Sequence, residues 1–355
     1  MAISRLSIHE FLKASAGHPV LDVRSPGEYT HAHFPGAISF PLFTDEERKV
    51  VGTLYKQKSR EEAIKAGLDF FGPKMRTMVE KAEEIVQAQQ HASKNIFVYC
   101  WRGGMRSAGV AWLLDLYGFK VHTLVGGYKS FRRFVLDSFL LPFQLRILGG
   151  YTGSGKTELL KNLQEKGAAI IDLEALANHK GSAFGNIGLP EQPSQEMFDN
   201  LLGLELYRLT GSGAITDTLR TMDRPIWLED ESQRIGKVNI HPEFWKQMRR
   251  SPIWFLDIPF EERLDHLVAE YGALDREKMI EAIGRISSRL GGLETKNATR
   301  FLQEGNTKES FRILLKYYDK WYHKGLHNRA GLETLLHTVL CEKVCADNTL
   351  KIIDL

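Results

Sequence analysis

The run Gly150-Tyr151-Thr152-Gly153-Ser154-Gly155-Lys156-Thr157 constrains the fold of this chain more than any other feature. Its spacing is G-x-x-x-x-G-K-T, and it sits between a strand candidate, Leu145–Leu148, and a helical stretch, Lys156–Lys166. A glycine-rich turn in that setting points backbone N–H groups at a phosphate, with Lys156 reaching the terminal phosphate and Thr157 ligating Mg²⁺. Strand, loop and helix in that order imply a parallel sheet. About fifty residues upstream lies a second loop built for anions, Tyr99-Cys100-Trp101-Arg102-Gly103-Gly104-Met105-Arg106-Ser107. There Cys100 ends an apolar strand, Asn95–Tyr99, and a helix starts near Arg106. Gly103-Gly104 can turn N–H groups inward, Arg102 and Arg106 add charge, and a helix N-terminus adds a partial charge, all favouring a reactive thiolate. A chain with both loops is expected to transfer a group through sulfur and to handle a phosphorylated cosubstrate.

The rest of the first half alternates in the same way. Val20–Val23, Ala37–Pro41 and Val121–Val125 read as strands, and residues 59–90 as helix broken near Phe71-Gly72-Pro73. The pattern restarts around Ser138–Gln144, where Pro142 marks a junction. Further strands are expected at Ala169–Leu173, Ala214–Thr216, Ile226–Leu228 and Ile253–Ile258. From Glu261 the chain is mostly helical, with helices at Glu277–Leu290 and Lys308–Tyr322 and a final strand near Leu350–Leu355. The expected division is 1–138, 139–290 and a helical region 291–355. With 43% hydrophobic and 26% charged residues the chain is globular, and a formal charge of +3 leaves a nucleic-acid surface only as a local patch. Three cysteines, Cys100, Cys341 and Cys345, suit a reducing cytoplasm rather than a disulfide scaffold. No signal peptide or membrane span is expected, and no apolar stripe demands a dimer, so a monomer is expected.

Leu21-Asp22-Val23-Arg24-Ser25-Pro26-Gly27-Glu28-Tyr29, then His33-Phe34-Pro35-Gly36-Ala37, resembles the start of a rhodanese domain. The cysteine loop and Gly126-Gly127 stand where that family has its active loop and closing glycines. The resemblance implies a sulfur-carrying Cys100. The spacing Cys100-x5-Arg106 is one residue longer than in the common single-domain form and equals that of the related cell-cycle phosphatases. A longer loop makes a wider cradle.

The acidic partner of the phosphate loop is open among Asp172, Asp217, Asp230 and Asp257, each ending an apolar run; Asp230, after Ile226-Trp227-Leu228-Glu229, is preferred. Asp172-Leu173-Glu174 with His179–Gly185 is either a pocket wall or a surface loop. Arg220, Arg224 and Arg234 flank the Glu229-Asp230 strand. The run Lys316–Lys324 interleaves cations with aromatics, which suits either RNA binding or an inward-packed helix with solvated lysines. His241 and His266 stand alone and are expected to be structural.

Taken together, Cys100–Ser107, Gly150–Thr157, His179–Gly185 and Glu229-Asp230-Glu231-Ser232 resemble the bacterial tRNA 2-selenouridine synthases, over nearly the whole chain. The resemblance implies an α/β protein: a rhodanese-like parallel-sheet domain followed by a P-loop NTPase-like α/β domain with a helical C-terminal region. It implies a transferase that replaces the sulfur of a wobble 2-thiouridine, in the tRNA anticodon loop, with selenium from selenophosphate. The route runs through an S-geranyl intermediate made from geranyl diphosphate, with Mg²⁺ and with a selenophosphate supplier as partner. Cys100 would carry selenium as Cys-S-Se⁻, with Arg102, Gly103, Gly104 and Arg106 holding the anion. Gly150, Gly153, Ser154, Gly155, Lys156 and Thr157 would bind the diphosphate, with Thr157 and Asp230 as metal ligands, and tRNA contacts are expected in 291–355. The alternatives are a Cys-dependent phosphatase or sulfurtransferase with a regulatory nucleotide-binding domain, and a non-catalytic RNA-binding module.

Overall fold

The computed structural model describes residues 3–88, 94–210 and 224–353. The strand expected at Ala214–Thr216, Asp217 and Arg220 lie outside the described residues. The chain divides into two units, Met1–Ser138 with Asp199–Leu204, and Phe139–Phe198 with Glu205–Leu355.

The first unit is built on five parallel strands: β1 (Ser4–Leu6), β2 (Val20–Asp22), β3 (Ile38–Ser39), β4 (Asn95–Tyr99) and β5 (Lys120–Leu124), in the order β1-β5-β4-β2-β3. β4 is the middle strand and its Ile96–Tyr99 is buried, as a strand covered on both faces must be. The helices follow their local signals. Thr44 and Glu47 form a reciprocal cap for Asp45–Gln57, Ser59 caps Arg60–Phe71, and Gly118 at φ 110° ends Met105–Tyr117. Leu21, Val23, Phe40, Ile96, Val98, Val110 and Leu114 form one core. Two elements here escape the sequence pattern. β1 is only three residues long, and the helix Gly127–Ser138 begins on a glycine.

The second unit has a five-stranded parallel sheet of β6 (Leu145–Gly150), β7 (Ala169–Ile171), β8 (Ile226–Glu229), β11 (Ile253–Asp257) and β12 (Leu336–Leu340), ordered β12-β11-β6-β8-β7. A small antiparallel hairpin, β9 (Arg234–Ile235) with β10 (Val238–Asn239), stands apart. β6 is central, so the loop after it opens at the C-terminal edge of the sheet, where parallel α/β sheets bind ligands. The expected final strand near Leu350–Leu355 is corrected. Ala346–Thr349 is a 3₁₀ turn and Leu350–Ile353 a helical turn, whereas the last strand is Leu336–Leu340, parallel to β11. Helices Phe260–Tyr271, Arg276–Leu290, Gly292–Gln303 and Thr307–His327 share a second core around Leu264, Ile283, Leu302, Phe311 and Leu315.

Candidate functional site

Cys100 follows β4 directly and is 3% exposed. Its Sγ lies 3.2 Å from the Ser107 hydroxyl, which also donates to the Gly104 carbonyl at 3.1 Å. That hydroxyl can turn its hydrogen to a thiolate without leaving its place. The loop is clamped through its backbone. The Tyr128 and Lys129 N–H groups donate to the Cys100 and Trp101 carbonyls at 2.8 and 3.0 Å. This closeness demands glycine: a Cβ on Gly127, at φ 58°, would lie 2.2 Å from the Cys100 carbonyl oxygen and 2.4 Å from the Gly103 nitrogen. Gly103, at φ 63°, meets the same limit against the Leu124 carbonyl, 2.5 Å away. Behind the loop, Arg24 is fully buried. It forks onto Asp22 at 2.6 to 3.0 Å and lies over the Tyr128 ring at 3.9 Å, while Tyr99 donates to Asp22 at 2.6 Å. The Asp22-Val23-Arg24 run is therefore a brace for the strand that carries Cys100.

The two loop arginines are placed differently. Arg102 is exposed, but Arg106 is half-buried and pairs with Glu28 at 2.7 Å. Burial pushes the Glu28 carboxyl up, but Arg106, the Ser25 amide and Arg48 outweigh it and hold it below the usual carboxylate range. Arg106 thus answers a resident carboxylate.

In the second unit Gly150, Gly153 and Gly155 all have positive φ (151°, 80° and 70°), and Lys156 folds back to donate to the Gly150 carbonyl at 3.0 Å. The loop is held by side chains remote in sequence. Tyr322 accepts from the Gly150 N–H at 3.1 Å and donates to Asp230 at 2.8 Å, and Asp230 pairs with buried Arg329 at 2.5 Å. Arg263 donates to the Thr152 carbonyl at 3.0 Å and forks onto Asp319 at 2.9 and 2.8 Å. Asp230 is the residue expected from the sequence as a metal ligand. Its carboxylate is engaged by Tyr322 and Arg329. Its neighbour Glu229, ending β8, is buried, and burial pushes its carboxyl above the ordinary range against the pull of Lys156 and Thr157 beside it. Asp172 caps the helix Leu173–Ala177 through the Ala175 N–H, and Asp257 is exposed.

A cavity of about 500 Å³ opens from this loop. Its polar end has Gly153–Thr157, Glu174, Lys180, Glu229 and Glu231; its apolar side has Phe184, Leu267, Tyr271, Phe311, Leu314, Leu315 and Tyr318. The His179–Gly185 segment is a wall of this cavity: Lys180, Gly181, Ser182 and Phe184 line it, and the Ala183 N–H donates to the Tyr318 hydroxyl at 3.0 Å. The Lys316–Lys324 helix resolves by face. Tyr318 and Tyr322 turn inward as braces, while Lys316, Lys320 and Lys324 are exposed. His241 stacks on Phe139 at 4.9 Å, as a structural histidine does. His266, expected to be structural, instead lines the cavity, 3.8 Å from Glu270. Arg224 and Arg234 are exposed. Tyr322, Arg263, Asp319 and Arg329 carry no motif. Tyr322, Arg263 and Arg329 lie roughly a hundred residues or more from the segments they brace, and Asp319 lies 56 residues from Arg263, so only the fold identifies them.

Residues 143–334 match the family of the tRNA 2-selenouridine synthase AAA domain, and residues 7–133 match the rhodanese-like domain. A tRNA 2-selenouridine synthase of Nitrosomonas europaea is 37% identical over 265 residues, covering 72% of this chain and 64% of that protein, under two thirds of its length. One from Marinobacter nauticus is 34% identical over 347 residues, covering 88% of this chain and 89% of that protein. One from Pseudomonas syringae pv. tomato is 32% identical over 349 residues, covering 89% and 90%.

Proposed function

This chain belongs to the tRNA 2-selenouridine synthase family, and from that premise we propose that it replaces the sulfur of a wobble 2-thiouridine in tRNA with selenium, in two steps served by its two loops. In the first, the thiocarbonyl sulfur attacks the allylic carbon of geranyl diphosphate. The C–O bond breaks, pyrophosphate leaves, and the base loses its N3 proton. S-alkylation turns a poor leaving group into a thiol. In the second, the selenium of selenophosphate attacks C2, geranylthiol leaves, and water cleaves the P–Se bond to release phosphate. Selenium stays at the selenide level throughout, so no electron donor is needed. A selenosulfide on Cys100, the form the resemblance implies, would require an oxidation and a later reduction. Cys100 and its cradle are assigned to holding the selenium nucleophile against C2.

The observation that carries the first step is the cavity. Its lining joins the polar phosphate loop and its glutamates to the aromatic and aliphatic side chains of the helical core, with His266 and Glu270 among them. About 500 Å³ falls in the range of about 300–1,000 Å³ used by small ligands. A prenyl diphosphate has matching ends, whereas a nucleotide would leave the apolar wall facing a polar ribose. Mg²⁺ fits the polar end, because Glu229 is buried with one carboxylate oxygen unbonded. Thr157 and Glu229 would hold it, and when bound it stabilises charge on the departing pyrophosphate. Lys156 is the protein's own cation for that charge. The wobble base must leave the anticodon stack to react, so tRNA contacts through exposed Arg102 and the lysines of Lys316–Lys324 are part of the proposal.

The test is nucleoside mass spectrometry on 2-thiouridine tRNA with each cosubstrate omitted in turn. Without selenophosphate, an S-geranyl nucleoside is expected, converting to 2-selenouridine on its addition. Cys100→Ala is expected to stop selenation and spare geranylation, and Lys156→Ala to stop geranylation while still selenating pre-geranylated tRNA. Loss of both activities in a folded, tRNA-binding Cys100→Ala protein would refute this division.

A further inference from the structure

Glu174, Glu229 and Glu231 bring one carboxylate oxygen each to within 4.8 Å of one another beside the phosphate loop. We propose that these three glutamates form a divalent-cation site that binds Mg²⁺ or Mn²⁺ before any diphosphate arrives, and so presets the charge of the cavity. The site's existence does not depend on the identity of the diphosphate, though its use rests on the reading above.

Three observations carry the inference. Glu229 is 3% exposed, and its Oε1 has no hydrogen-bond partner among the described residues. A buried, unpartnered carboxylate oxygen is costly unless a cation or proton meets it. Second, the donor set is three hard oxygens. A Mg–O distance of about 2.1 Å sets neighbouring ligand oxygens about 3 Å apart and opposite ones about 4.2 Å apart. The three oxygens, all within 4.8 Å of one another, stand close to that spacing. Third, the space is kept open by Gly181. At φ 60°, its Cβ would lie 2.9 Å from Glu174 Oε1 and 3.0 Å from Glu231 Oε2.

Charge balance supports the same conclusion. Burial and neighbouring carboxylates push all three glutamates towards the neutral form, and Lys156 is the cation that most opposes this at each of them. A diphosphate entering the loop adds further negative charge and claims that lysine. Without a divalent ion, its leaving pyrophosphate would develop its charge beside a cluster of carboxyl groups in a low-dielectric pocket.

The experiment is a Mn²⁺ titration of chelator-stripped protein, followed by electron paramagnetic resonance and by melting temperature, with no diphosphate present. We expect one tight Mn²⁺ per chain and a rise in melting temperature. Glu231→Gln and Glu174→Gln are expected to weaken Mn²⁺ by about tenfold or more. They are also expected to melt no lower than the parent in chelator, because each removes charge crowding. Lys156→Ala is expected to keep the site, so failure of the diphosphate reading would show in geranylation and not here. Absence of Mn²⁺ binding at millimolar concentration, or equal binding by parent and both glutamine variants, would overturn the proposal. So would a lower melting temperature of Glu231→Gln in chelator, which would mean that a shared proton, not a cation, satisfies the cluster.

Discussion

The two anion cradles solve one problem with opposite means. Around Cys100 the clamp is backbone on backbone, with glycines at 103 and 127 admitting carbonyls and amides closer than a Cβ allows, and the nearby Glu28 is matched by arginines. Around Lys156 the clamp is side chain on backbone. Tyr322 and Arg263 reach the loop from helices late in the chain, and the nearby glutamates outnumber their cation. A cradle of the first kind rests on glycines at the points of contact. One of the second kind depends on the assembly of the whole unit, and its charges wait for a ligand.

The sharpest way to break this comparison is Gly127→Ala. With φ at 58° and its Cβ 2.2 Å from the Cys100 carbonyl oxygen, it should cost about 3 kcal/mol or more of stability and abolish selenation. Gly167→Ala, also at positive φ but with open space around its Cβ, is the control and should cost about 1 kcal/mol. Denaturant titration of both variants checks the gap; equal costs would mean that the close approach contributes nothing.

Next in size is the side-chain clamp. Arg263→Met leaves Asp319 without its fork and the Thr152 carbonyl without a donor, at a cost of about 3 kcal/mol. Tyr322→Phe removes the hydroxyl between Gly150 and Asp230, at about 1–2 kcal/mol. Both should raise the KM for the diphosphate while leaving selenation of pre-geranylated tRNA intact. A matching loss of that second activity would show that the two cradles are not separable.

The two cradles also part in their response to pH. In the first unit Glu28 is held below the ordinary range, so its contribution is present above the unfolded glutamate value and lost as pH falls through the lowered folded value. In the second, burial, Glu229 and other carboxylates raise Glu231 from 4.5 to about 8, against the pull of Lys156. The folded state there holds its proton more tightly than the unfolded chain. Stability therefore falls as pH rises from about 4.5 towards about 8 in chelator. Melting curves should show both slopes, with Glu28→Gln flattening the acid one and Glu231→Gln the neutral one.

Most of the fold was legible in the sequence because its signals are local. Asn95–Tyr99 is a plain apolar run, Phe71-Gly72-Pro73 interrupts a helix, and G-x-x-x-x-G-K-T can hardly be anything but a strand-to-helix loop. Leu336-His337-Thr338-Val339-Leu340 was not, since half of it is exposed and it becomes a strand only by pairing with β11. Asp230 is preferred in the sequence among four aspartates, and that its carboxylate is engaged by Arg329 and Tyr322 was hidden for a geometric reason. Side chains alternate at the end of a strand, and the sequence carries no mark of which one Arg329 and Tyr322 will take. The tyrosine and arginine braces, coming from helices far down the chain, have no local signature at all.

The first unit is not continuous in sequence. Asp199–Leu204 belongs to it, with Arg132 paired to Asp199 and the buried Asn200 donating to the Tyr128 hydroxyl at 2.7 Å and the His33 carbonyl at 3.0 Å. During synthesis that segment leaves the ribosome about sixty residues after Ser138, when the phosphate loop has already emerged. The domain holding Cys100 therefore cannot be finished before its successor is begun. The unfinished domain has to be tolerated by the nascent chain, and a gene cut at Ser138 would encode a protein missing a piece of its own interior.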